Sequence, residues 1–403
     1  MTTKRTFMRL LAATVAGAWF AGGVSAPSLA ADEVKIGAPL ALTGGLADEG
    51  KKQAIVYDMW LKKVNAAGGI SVGGKKLKVK IVKYDYQTDG KRAQQLAEKL
   101  ITDDKVDVLM SPFGSGHTKI VAGVAERYGV PVVAPVASSV SVYDQGYKYL
   151  FGTLAPNTGL TEAMLKTFTT QGKNVKKIAV LGRDDVFPKS MAQAMADTAK
   201  KGGLEVVYNE LYAVGTLDHA ASLSKIKSLK PDWIYITGYT QDLILARKQM
   251  NDLKVTAPVV TMITGPAYAE FVEGLGPLAE NITSTTWWHH STTFKGVDPW
   301  GTTANFYKEF KAAQKADPDY VHASSAVALV VIQKAIEKAG SLDKKKVRDA
   351  LAALDIQTFY GPVKFGPNGM LLVRSLPVIQ VQKGKVAVLY PADIANAKLM
   401  PMK

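Results

Sequence analysis

The chain has 403 residues, with 50 Lys+Arg against 35 Asp+Glu, a formal charge of +15, and no cysteine. Its 47% apolar content is ample for packed cores and excludes a disordered chain. The lack of cysteine excludes a disulfide framework, a thiolate metal site, a cysteine nucleophile and a lipid-modified cysteine anchor.

The N-terminus reads as an export signal. Lys4, Arg5 and Arg9 form a basic start, Leu10 to Val24 is apolar, and Ser28-Leu29-Ala30 puts small residues before a cut at Ala31. The apolar run falls short of the ~20 residues a membrane span needs. Lys4-Arg5 resembles a twin-arginine signal with Lys in the first position, which leaves the export route open. The expectation is a cleaved signal over 1–30 and a mature protein in the periplasm of a Gram-negative bacterium. Three of the excess positive charges go with that signal. The remaining lysines are scattered over helix surfaces, as in Lys51-Lys52, Lys62-Lys63 and Lys344-Lys345-Lys346, and no nucleic-acid motif accompanies them.

Strand and helix signals then alternate, the mark of α/β layers. Val34 to Leu42 reads as a strand. Lys51 to Ala67 reads as a helix with Ile55 and Met59 on its apolar face and Lys62-Lys63 on its charged one, ended by Gly68-Gly69. Lys76 to Tyr84 is a strand, and Asp89 caps a helix to Thr102. Strands at Val106 to Met110 and Val130 to Val133 flank a helix from His117 to Tyr128. A second series has helices at Leu160 to Gln171, Pro188 to Lys201, His219 to Leu229 and Thr240 to Leu253. Its strands are Lys177 to Leu181, Leu204 to Asn209, Trp233 to Thr237, Pro258 to Met262 and Ile282 to Trp287. Helices return at Thr303 to Ala316, Val321 to Ala339 and Lys344 to Leu354, and a short β region follows Phe359. Length and the two series predict two similar lobes with parallel sheets.

The usual catalytic patterns are not in the sequence. There is no Gly-x-x-x-x-Gly-Lys-Ser/Thr loop, and Gly114-Ser115-Gly116 lacks nucleophile-elbow spacing. His289 and His290 are expected on opposite faces of a strand, which argues against a shared metal. Asp184-Asp185 reads as a loop or helix start. No catalytic residue, metal or cofactor is expected.

The ordered features resemble the periplasmic solute-binding proteins of ABC importers of the branched-chain amino acid (leucine/isoleucine/valine-binding) family. They are Val34-Lys35-Ile36-Gly37 with Leu42-Thr43-Gly44, Val64-Asn65-Ala66-Ala67-Gly68-Gly69-Ile70, Gly114-Ser115 to Thr118, Val130 to Pro135 before Ala137-Ser138-Ser139, and Tyr360 to Phe365 before Asn368-Gly369. The resemblance implies two Rossmann-like lobes joined by a three-segment hinge, the type I periplasmic binding protein fold. It places the crossings near Thr153, Trp287 and Leu376. One lobe would be 31–153 plus 288–376, the other 154–287 plus 377–403. It implies a monomer that captures a solute between its lobes by hinge closure and delivers it to a membrane permease driven by an ATPase. The alternative is a sensory or regulatory ligand-binding protein for amides or related solutes.

By the same resemblance, Ser115, Val136 and Ser138 would hold a ligand carboxylate, Tyr239 would contact the ligand and Phe187 would cover it. Ser115 also precedes a helix, whose first N–H groups favour an anion. His117 is a further candidate beside it, and Phe113, Tyr86 and Trp287-Trp288 would supply apolar surface. The family's amino-acid binders carry an acid for the ligand's ammonium after the strand that here is Pro258 to Met262. This chain has Ile263 and Thr264 there, both taken as candidate ligand contacts, and no acid until Glu270. Either Asp184 or Asp185 substitutes, or the ligand has no ammonium. The expected ligand is therefore a small carboxylate-bearing molecule, an aromatic or hydrophobic acid before a hydrophobic amino acid.

Overall fold

A computed structural model describes residues 33–171, 175–372 and 375–402 of the chain. The expected export signal lies outside the described residues. Among the described residues, no helix is long and apolar enough to cross a membrane.

The first sheet holds β1 (Glu33–Leu40), β2 (Ile70–Val72), β3 (Lys75–Asp85), β4 (Val108–Met110), β5 (Val132–Ala134) and β6 (Leu150–Gly152), in the order β2-β3-β1-β4-β5-β6. Every pairing but the β2–β3 hairpin is parallel. The second sheet holds β7 (Lys177–Arg183), β8 (Glu205–Tyr212), β9 (Trp233–Thr237), β10 (Val259–Ile263) and β11 (Thr283–Thr285). A small hairpin of β12 (Asp355–Thr358) and β13 (Gly361–Lys364) stands apart. β14 (Val378–Gln382) and β15 (Lys385–Tyr390) close the second sheet antiparallel, in the order β15-β14-β11-β10-β9-β7-β8. The short strands β2 and β6 were not anticipated from the sequence.

The helices are α1 (Ala47–Ala66), α2 (Gly90–Thr102), α3 (Ser115–Tyr128), α4 (Val140–Tyr143), α5 (Asn157–Gln171), α6 (Val186–Lys201), α7 (Ala220–Leu229) and α8 (Thr240–Asp252), then α9 (Ala269–Leu275), α10 (Thr303–Gln314), α11 (Tyr320–Ala339) and α12 (Lys344–Ala352). Asp89 caps α2 by accepting from the Arg92 N–H at 2.6 Å, as its position predicts. α11 is buried nearly all round, which its Ala/Val/Leu/Ile run requires. It packs on α1 and on the first sheet. The chain thus forms two lobes, one per sheet, with α11 returning to the first.

Two helix starts differ from expectation, and both matter. α1 begins one turn before Lys51, so Glu49 lies inside it along with Lys52. Its buried face runs through Gln53, Val56, Tyr57, Trp60 and Val64, while Ile55 and Met59 are only half-buried. α1 also presses on the end of β1: a Cβ on Gly50 would sit 1.9 Å from the Ala41 carbonyl oxygen, so only glycine fits. α3 begins at Ser115, two residues before His117, with Gly114 as its cap at φ 89°, a conformation glycine adopts without strain.

Candidate functional site

Open α/β sheets bind ligands beyond the carboxyl ends of their strands. Both sheets direct those ends at the seam between the lobes, and a narrow cavity lies there.

From the first lobe come Phe113, Gly114 and Ser115 between β4 and α3, Val136 and Ser138 after β5, and Tyr320 at the start of α11. The second lobe supplies Phe187 in α6, Tyr239 after β9 and Thr264 after β10. Leu154 and Trp287 line the cavity from two of the segments where the chain passes between the sheets. Aromatic rings form the walls: the ring centroids of Phe113 and Tyr239 are 6.1 Å apart, those of Phe187 and Trp287 6.1 Å, and those of Trp287 and Tyr320 4.7 Å.

Polar groups stand at defined points on these walls. Ser115 opens α3, whose first N–H groups have no partner within the helix. Its Oγ accepts from the Ser139 N–H at 3.3 Å. Ser138 Oγ and Thr264 Oγ1 are both buried and both without a hydrogen-bond partner. Such orphaned hydroxyls cost about 1–3 kcal/mol each unless something else bonds them. Tyr239 Oη lies 3.6 Å from where a Cβ on Gly114 would stand, close to the start of α3. Burial holds the Tyr239 phenol well above its ordinary value, so it stays protonated and able to donate.

Eight of the twelve residues singled out in the sequence meet in this cavity: Phe113, Ser115, Val136, Ser138, Phe187, Tyr239, Thr264 and Trp287. Four stand outside its lining. Ile263 is the last residue of β10 and points into the sheet core, because side chains alternate along a strand. His117 faces a separate outer groove, with Arg183, Asp184 and Asp185 on the opposite lobe. Tyr86 packs its buried ring 5.0 Å from the His117 ring. Leu154 and Tyr320 were not anticipated. Asp319, whose carboxylate caps α11 by accepting from the Val321 and His322 N–H groups, marks the helix start but not a role for Tyr320. Trp288 packs against Phe306 instead of the cavity.

None of the described residues lining the cavity carries a carboxylate. The acids considered for a ligand ammonium are engaged elsewhere. Asp184 pairs with Lys189 at 3.0 Å, and Asp185 caps α6 by accepting from the Val186 N–H. Glu270 crosses the seam to Lys52, 2.9 Å away, which also holds Asp319 at 2.8 Å. The ring centroids of His289 and His290 lie 4.1 Å apart, tilted by 30°, contrary to the opposite faces expected, because β11 ends at Thr285 and strand alternation no longer applies. Among the described residues, no group of three or more His, Cys, Asp or Glu could hold a metal ion.

Further bonds cross the seam. The Tyr268 and Tyr320 hydroxyls are 2.6 Å apart, the Ser139 and Ser190 hydroxyls 2.8 Å. The Thr240 hydroxyl donates to Glu49 Oε1 at 3.2 Å. Burial pushes the Glu49 carboxyl up to about 7, against the opposing pull of its backbone bond, Lys52 and Thr240. A carboxyl raised from 4.5 stabilises the fold least when ionised, so stability present below about pH 4.5 is lost as pH rises through 7. Wild type is expected to lose roughly 3 kcal/mol between pH 5 and 8 relative to Glu49→Gln. Urea unfolding of both proteins across that range checks this, and parallel pH profiles would contradict it.

Two lobes closed over a small cavity lined by hydroxyls and aromatic rings make a solute-binding protein rather than an enzyme site. The chain belongs to the periplasmic binding protein family, whose model matches residues 33–385, and within it to the type I branched-chain amino acid group. It is 28% identical to the leucine-, isoleucine-, valine-, threonine- and alanine-binding protein of Pseudomonas aeruginosa, over 87% of this chain and 90% of that one. A solved leucine-binding protein from Thermotoga maritima is similar at 25% identity and TM-score 0.78, covering 89% of this chain and 99% of that one. A solute-binding protein of an ABC transporter from R. palustris, solved in complex with benzoate, shares the fold at 20% identity and TM-score 0.75, covering 91% of this chain and 100% of that one.

Proposed function

We propose that this protein captures a small aromatic or hydrophobic carboxylate between its lobes in the periplasm and delivers it to the permease of an ABC importer. One observation carries the reading. The cavity combines anion-binding groups with aromatic walls and has no carboxylate lining it, while Glu270, the first acid after β10, pairs with Lys52. A ligand carboxylate would accept from Ser138, Tyr239 and the first N–H groups of α3, an arrangement that favours negative charge. A ring would fill the space between Phe113, Phe187 and Trp287. A ligand ammonium in the same space would be buried without a counter-charge, at a cost of several kcal/mol.

Closure follows from the same contacts. Ligand touching both walls favours the closed state only to the extent that the open state lacks some of those contacts. The segments after β6, after β11 and before β14 are the three hinge crossings in this reading. Ser115, Ser138, Val136, Tyr239 and Phe187 are the residues assigned to the ligand. The Pseudomonas relative's name favours a second reading, a hydrophobic amino acid, in which Glu49 would have to turn toward the cavity. A thermal-shift panel separates the two. At 100 times its Kd a ligand adds about 2.7 kcal/mol. Benzoate is expected to raise the melting temperature and leucine to leave it unchanged, and the opposite pattern would rule out the carboxylate reading.

A further inference from the structure

Thr264 combines two unusual features. Its backbone is at φ 72°, ψ −31°, a left-handed conformation that is a genuine outlier for a β-branched residue. Its hydroxyl lines the cavity, is buried and has no partner. Both features cost stability, and strain of this kind concentrates at ligand sites where the surroundings enforce it. Here the enforcement is visible. The Thr264 N–H donates to Ser284 Oγ at 3.2 Å, and its carbonyl accepts from the Ala267 N–H at 3.0 Å in the short turn containing Pro266. The turn from β10 thereby directs the Thr264 side chain to the cavity after Ile263 has pointed into the core.

Thr264 stands on the second lobe, across the cavity from Ser138 on the first. The polar atoms near it are committed: the Tyr320 hydroxyl bonds Tyr268, and Trp287 Nε1 donates to the Ala155 carbonyl. A carboxylate held by Ser138 and α3 therefore leaves a second hydrogen-bonding group unused on the opposite wall. A hydroxyl can donate and accept, so its natural complement is a neutral group that does the same.

We propose that Thr264 is a specificity residue that hydrogen-bonds a ring hydroxyl of the ligand, so that the preferred substrates are hydroxy-substituted aromatic acids. The inference rests on the carboxylate reading above and narrows its substrate class. A site built to bond a hydroxyl discriminates against the analogue lacking it, because its own polar group is then left unpaired.

The test is calorimetric titration of the whole protein with benzoate, 3-hydroxybenzoate and 4-hydroxybenzoate, in wild type, Thr264→Val and Thr264→Ser. In wild type one hydroxy acid is expected to bind roughly fivefold or more tighter than benzoate. Thr264→Val keeps the branched shape and removes the hydroxyl, and there the three acids should bind within about twofold of one another. Thr264→Ser keeps the hydroxyl and should keep the preference, which a purely structural role would not produce. Benzoate binding as tightly as both hydroxy acids, or a preference that survives in Thr264→Val, overturns the role of Thr264 and leaves the carboxylate reading standing. No binding of any of the three to wild type overturns both.

Discussion

Ser138→Ala is expected to weaken binding of an aromatic carboxylate by about 10- to 100-fold while leaving the ligand-free protein as stable as wild type, or slightly more so. The two halves of this expectation have one cause. Ser138 Oγ is buried with no partner, so in the empty protein it contributes only its desolvation cost. A bound carboxylate would accept from it, and hydrogen bonds to charged groups are worth about 1.5–3 kcal/mol. Ser115→Ala should behave differently. Its Oγ accepts from the Ser139 N–H, so its loss should lower stability together with affinity. The checks are melting temperature and calorimetric Kd for both variants. A lower melting temperature for Ser138→Ala with unchanged Kd would make Ser138 a structural residue and remove it from the site.

Lys52→Met is expected to cost about 3 kcal/mol of stability and to weaken ligand binding as well. The Lys52 side chain is only 8% exposed and bridges Asp319 of its own lobe to Glu270 of the other. It also lies 4.0 Å from the Tyr268 ring centroid. Burial alone would raise the Asp319 carboxyl, but His322 and Lys52 together hold it well below the usual range. Methionine keeps the stem and removes the charge, which strands a buried carboxylate. Removing one partner of a buried pair is far more damaging than replacing both. Glu270→Gln cuts only the arm that crosses the seam. Its side chain is 41% exposed, so it should affect closure and affinity more than folding. Urea unfolding midpoints and Kd values for the two variants check this. A Lys52→Met midpoint equal to wild type would show that the pair contributes nothing.

How much of this was legible in the sequence follows from where each residue sits. The alternating series shows as periodicity, so the two parallel sheets were readable, and with them the loops after β4, β5, β9 and β10. Ser115, Ser138, Tyr239 and Thr264 were named from the family resemblance, and their places on those loops agree with the strand-end rule. Ile263 fell outside because β10 runs one residue further than expected, and one residue reverses the face. His117 fell outside because α3 starts at Ser115, so the helix carries residue 117 round to the outer groove. Glu49, Lys52, Asp319 and Tyr320 had no local signal of function. They sit at the starts of α1 and α11, and only the packing of those helices against the second lobe brings them to the seam.

The central claim is that the cavity takes a carboxylate and has no place for an ammonium. Calorimetric titration of the purified protein at pH 7 with benzoate and with leucine tests it most directly. The two ligands share a carboxylate and an apolar body and differ in the ammonium. The structure predicts a saturable one-to-one isotherm for benzoate and no binding heat for leucine. A saturable isotherm for leucine with none for benzoate would contradict it.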